Sequence, residues 1–299
     1  MKIIIAIKSA AFRSLRSWKS ILIIWFSSLL LAGILAVPMK GALKSGLGES
    51  MITEKLADGI NFEVFADLGA TYKSISSSFS AAIFIAILTG FLLNTFLMGG
   101  LFSRLKGLSG KFSGEEFFQA SAKYFWSFLV ISLIISLIVF TVLILTVILP
   151  YSFARQAEPP RDGIVFNTLR IGISIFFLLL AILLLVVDYA RSWQVSKEKN
   201  ACFKAIGFGF SQTFRTFLSS YPLMIIILII EFLYGWLILK ILPSVKPVTG
   251  SGIFLLFLLS QFLFFIRILL KTWRYGSVTS LMEQNTNPPS PLKGSSEKL

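Results

Sequence analysis

Six times along the chain, a run of about twenty apolar residues lies between stretches rich in basic, hydroxyl and aromatic residues. The runs fall near Ser20–Val37, Ser80–Phe102, Trp126–Leu149, Phe166–Val187, Tyr221–Leu242 and Ile253–Trp273. Each can cross roughly 30 Å of hydrocarbon at about 1.5 Å per helical residue. None shows strand-like alternation, and in lipid a helix satisfies its own backbone hydrogen bonds, so helices are predicted throughout. The expected fold class is all-α: an integral membrane six-helix bundle over residues 1–276, followed by a disordered cytoplasmic tail over 277–299.

The first, third and fifth runs share a context. Each ends at a proline, in Val37-Pro38, Leu149-Pro150 and Leu242-Pro243. Proline lacks the N–H and disfavours α conformation in the residue before it, so these pairs are predicted to stop their helices. A basic amphipathic stretch precedes each run. Residues 1–19 place Ile4, Ile7, Ala11, Leu15 and Trp18 on one helical face, with Lys2, Ser9, Arg13 and Arg16 on the other. Ser113-Gly114-Glu115-Glu116 reads as a capping box opening a second short helix through Phe117, Phe118 and Tyr124. A third spans 198–219, with Phe203, Ile206, Phe210, Phe214 and Phe217 at helical spacing. Interfacial helix, outgoing span, proline and returning span in that order predict three repeats of one helical hairpin. The connection after the first span predicts a surface helix through Leu43, Leu47, Met51 and Leu56, then an irregular stretch Asn61–Ser78.

Charge sets the orientation. The net charge is +14, and 19 of the 28 Lys and Arg residues fall on the side of the termini, against 9 in the outer connections and adjoining helix ends. That bias predicts cytoplasmic N- and C-termini. Attraction to anionic lipid headgroups accounts for the basic character without nucleic acid. Membrane lipids are therefore the expected partners, with a membrane-protein partner or a second copy left open.

Candidate chemistry is sparse. There is no His and a single Cys, Cys202, so the usual general base and an internal disulfide are both absent. No phosphate-binding loop, dinucleotide fingerprint, zinc spacing or nucleophile elbow occurs, and neither an enzyme activity nor a cofactor is expected. Glu231 stands ten residues into the fifth span, where an ionisable group is costly and marks a candidate site. Gln261 and Arg267 in the sixth span, and Asn94 in the second, are its expected partners. Either Glu231 binds a cation or proton in the bundle, or it fastens two helices together. Asp188 and Arg191, three apart where the fourth span ends, are expected to pair and anchor that end, with Tyr189 and Trp193 in the interfacial aromatic belt.

The hairpin order, with Asp188-Tyr189-Ala190-Arg191 closing the fourth span, resembles bacterial inner-membrane proteins similar to the membrane domains found beside some glycerophosphodiester phosphodiesterases. The likeness covers most of residues 1–276 and implies a helical bundle without an assigned reaction, the hydrolase domain being absent. A non-enzymatic accessory or structural membrane protein is expected, the alternative being a small transporter or channel using Glu231 and Arg267.

Overall fold

The computed structural model describes residues 2–47, 69–106, 112–156, 162–241, 245 and 249–286. Every regular element among them is helical: α1 Lys2–Arg16, α2 Trp18–Leu47, α3 Gly69–Lys106, α4 Gly114–Leu143, α5 Leu149–Gln156, α6 Asp162–Lys197, α7 Cys202–Arg215, α8 Phe217–Ile241 and α9 Gly250–Thr286. A π-turn at Ile144–Ile148 joins α4 to α5. Among the described residues, five stretches are long and apolar enough to cross a membrane: Ala82–Lys106, Gly114–Gln156, Gly163–Lys197, Phe217–Ile241 and Gly250–Asn285. A sixth is added if Ile3–Arg16 and Trp18–Ile34 form one broken span. The chain is an all-α, multi-pass membrane protein.

Several expectations are corrected. The prolines do not end the first and third spans. The helix α2 runs through Val37-Pro38 to Leu47, and Pro150 lies inside α5. Unwinding in hydrocarbon would expose several backbone groups, which costs more than the one bond a proline removes. At Pro150 the backbone also adapts: the Leu149 N–H reaches back five residues to the Ile144 carbonyl, and the Thr146 hydroxyl donates to the Val142 carbonyl at 2.8 Å. Leu242-Pro243 lies outside the described residues.

The boundaries shift too. The helix α3 begins at Gly69, so the second half of the expected irregular stretch is helical. Residues 48–68 lie outside the described residues, including Met51 and Leu56 of the expected surface helix. Ser113 caps α4 as the capping box predicts, accepting from the Glu116 N–H at 3.4 Å. That helix then runs unbroken into the span, so the second interfacial segment is not a separate helix. Separate helices do precede the span at α1 and α7, with breaks at Ser17 and Thr216. At the C-terminal side α9 continues to Thr286, and Val278, Leu281 and Met282 are buried. Residues 277–286, expected in the tail, therefore belong to the bundle, while 287–299 lie outside the described residues.

The chain divides into two compact units, Met1–Leu22 with Thr95–Leu299, and Ile23–Asn94. In the smaller unit, Gly90 of α3 faces the Leu31 side chain of α2, and Ile34, Phe84 and Ile87 expose apolar surface. In the larger unit, α6 is the central helix. One apolar cluster joins it to α1, α8 and α9 through Ala6, Leu185, Leu223, Ile227 and Leu281. Another joins it to α4 and α7 through Ile131, Ile135, Val186, Ala190 and Ala205.

Small residues set the closest contacts in that unit, as expected where packing rather than water exclusion joins helices. Ala6, Ala10, Ser14 and Ser17 form the buried stripe of the N-terminal segment, and Ala10 meets Gly276 of α9. Ile4, Phe12, Leu15 and Trp18 remain exposed. In α7, Gly209 lies against the Val186 carbonyl.

Candidate functional site

About two turns of α6 organise the polar interior. Residues four apart share a helix face and residues three apart nearly do, so a short segment can address several neighbours. Asp188 and Ser192 both face α9: Asp188 Oδ2 accepts from Arg274 Nε at 3.3 Å, and the Ser192 and Thr279 hydroxyls are 3.1 Å apart. Arg191 and Gln194 both face α4. The Arg191 guanidinium donates to Ser132 Oγ at 2.7 Å, and the Gln194 amide donates to Ser127 Oγ. Tyr189 faces α8, where its hydroxyl lies 2.6 Å from Ser220 Oγ. All five residues are buried.

The ionic centre of this hub is a triad. Arg274 binds Asp188 through Nε and Glu231 through Nη1, the latter at 3.4 Å from Oε2. Side-chain exposure is 1% for Asp188, 8% for Arg274 and 26% for Glu231. A guanidinium suits this bridge because its donors point in fixed, diverging directions, so one side chain can engage two carboxylates. Aromatic rings pack beside it. Arg274 lies 5.0 Å from the Tyr275 ring and Arg191 5.6 Å from Phe128, while Phe102 contacts both Tyr275 and Phe128. Cation–π contacts of this kind offset part of the cost of burying a guanidinium.

The residues singled out by sequence are partly reunited. Glu231 and Asp188, expected in separate roles, share one cation. Asp188 does not pair with Arg191; the two diverge to different helices, and Tyr189 is fully buried rather than in an interfacial belt. Arg267 is not the partner of Glu231 and is exposed, while Gln261 is half-buried. Asn94 is half-buried in the smaller unit. Missed by sequence were Arg274 and the hydroxyl partners Ser127, Ser132 and Ser220. The available signal was the run of Ser277, Thr279 and Ser280 after Trp273, small polar residues that suit a helix contact better than a tail. Among the described residues, no group of three or more His, Cys, Asp or Glu side chains could hold a metal ion.

No protein-family model matches the chain, and no curated protein or solved structure matches it.

What the arrangement can do is chemically narrow. It joins four helices by polar contacts in which all but Glu231 are buried. It leaves two buried acceptors without a hydrogen-bond partner among the described residues, Gln194 Oε1 and Glu231 Oε1.

Proposed function

We propose that the protein is a non-enzymatic membrane protein of the bacterial inner membrane, with an accessory or structural role and both termini in the cytoplasm. The use of its ionisable groups carries this reading: the Arg274 guanidinium is committed to Asp188 and Glu231 between packed helices. A conducting or coupling site needs charges that meet water and change partners during the cycle. The orientation is supported by the 19-to-9 distribution of basic residues. Facing the cytoplasm, the basic side would meet anionic headgroups, at about 1 kcal/mol per Lys or Arg near the surface.

The unpartnered Glu231 Oε1 favours one alternative, a small transporter or channel. In that reading Glu231 takes up a proton or cation, and Arg274 rather than Arg267 sets its charge. Reconstitution into liposomes carrying internal pH and ion indicators separates the two. The accessory reading expects leakage equal to that of protein-free liposomes. A flux that Glu231→Gln abolishes would replace it with the transporter.

A further inference from the structure

We propose that a cavity between the ends of α3, α6, α7 and α9 binds the phosphate of an amphiphilic ligand, such as the headgroup of an anionic phospholipid. This deepens, and rests on, the lipid-contact part of the reading above. The cavity measures about 870 Å³, within the usual range for small-molecule sites.

Its polar wall carries basic side chains. Lys106, Lys197 and Arg215 line it from three helices. The Lys106 ammonium is held in place by the Val195 and Ser196 carbonyls at 3.1 and 3.2 Å and by Glu198 at 3.3 Å. Lys197 and Arg215 are exposed, and no side-chain hydrogen bond or ion pair engages them among the described residues. Glu283, the one acid in the wall among the described residues, is bound by Arg13 at 2.8 Å, which leaves the basic groups in excess. Asn285 adds a buried Nδ2 donor with no hydrogen-bond partner among the described residues. Diverging donors from separate elements suit a phosphate, whose several oxygens accept in different directions.

The other wall is apolar. Trp193 and Phe208 stack at 5.7 Å and line the cavity. A ligand with an acyl or glycerol segment would cover this surface, whereas a soluble phosphate would leave it bare.

The test is native mass spectrometry of the full chain in detergent, titrated with phosphatidylglycerol or phosphatidylcholine. One phosphatidylglycerol is expected to be retained in preference to phosphatidylcholine. Lys197→Ala with Arg215→Ala should weaken retention roughly tenfold or more. Lys197→Arg with Arg215→Lys should preserve it, and so should the control Lys8→Ala with Lys123→Ala. If phosphatidylglycerol is preferred but the cavity pair and the control behave alike, the cavity proposal fails and the general lipid contact stands. If neither lipid is preferred, both fail. Displacement of the lipid by inorganic phosphate alone would keep the phosphate site and assign it to a soluble ligand.

Discussion

Asp188 and Arg274, 86 residues apart in the chain, meet at 3.3 Å between α6 and α9 with both side chains sealed from solvent. The same guanidinium reaches Glu231 on α8, so one cation ties three helices together. Taking such a charge out of water is costly, and its attraction for two carboxylates in a low-dielectric interior offsets that cost.

Removing the cation should therefore be severe. Arg274→Met leaves Asp188 and Glu231 without the cation that they share and is expected to cost about 3–5 kcal/mol. Arg274→Lys should recover only part of this, because an ammonium lacks the planar fork that bridges both acids. Thermal unfolding of the three proteins in the same detergent would show the order wild type, Lys, Met. A Lys variant that melts with the wild type would mean that bridging geometry is unimportant.

Two glycines in α7, two residues apart, should respond oppositely to alanine. A Cβ at Gly209 would overlap the Val186 carbonyl, whereas nothing lies within 4 Å of one at Gly207. Gly209→Ala must push α7 away from α6, at about 1–3 kcal/mol. Gly207→Ala should stabilise by about 0.5–1 kcal/mol, as expected for an unobstructed helix-interior glycine. Melting temperatures that move the same way would show that the approach of α7 to α6 is not set at Gly209.

Pro150 and Gly172 should be energetically coupled although they lie on different helices. A proline ring collides with the carbonyl four residues earlier, here that of Thr146. That carbonyl faces Gly172, where a Cβ would overlap its oxygen. Gly172→Ala is thus expected to destabilise by about 1–3 kcal/mol. Combining it with Pro150→Ala, which lets the Thr146 carbonyl turn back into its helix, should restore at least about 0.5 kcal/mol of that loss. Strict additivity in the double-mutant cycle would disprove the coupling.

The class of the protein was plain in the sequence because hydrocarbon dictates run length and apolar composition, and five of the runs are single spanning segments. The errors came where tertiary contacts outweigh local rules. Val37-Pro38 looked like a stop because proline disfavours a helix, yet hydrocarbon penalises an unwound end more. Trp273 looked like the membrane boundary, which placed Arg274 beyond the last span and Ser277 in a tail, and left Arg267 as the nearest cation for Glu231. Arg267 and Arg274 are seven apart and share a helix face, so the face was correct and the depth was wrong by two turns, about 10 Å. The contacts of Arg191 with Ser132 and of Gln194 with Ser127 had no sequence signal, because serine is unremarkable in a membrane helix until its neighbour is known.

The central claim is that the triad is a dry fastener. It is tested most directly by replacing all three members with apolar residues of similar size: Asp188→Leu, Glu231→Leu and Arg274→Met together. Exchanging a complete buried ion cluster for well-packed apolar side chains is commonly neutral or stabilising, whereas removing one member is not. The triple variant should therefore melt at or above the wild-type temperature, well above Arg274→Met alone. A triple variant that melts as low as the single one would contradict the account, and the charges would then need another reason to be there.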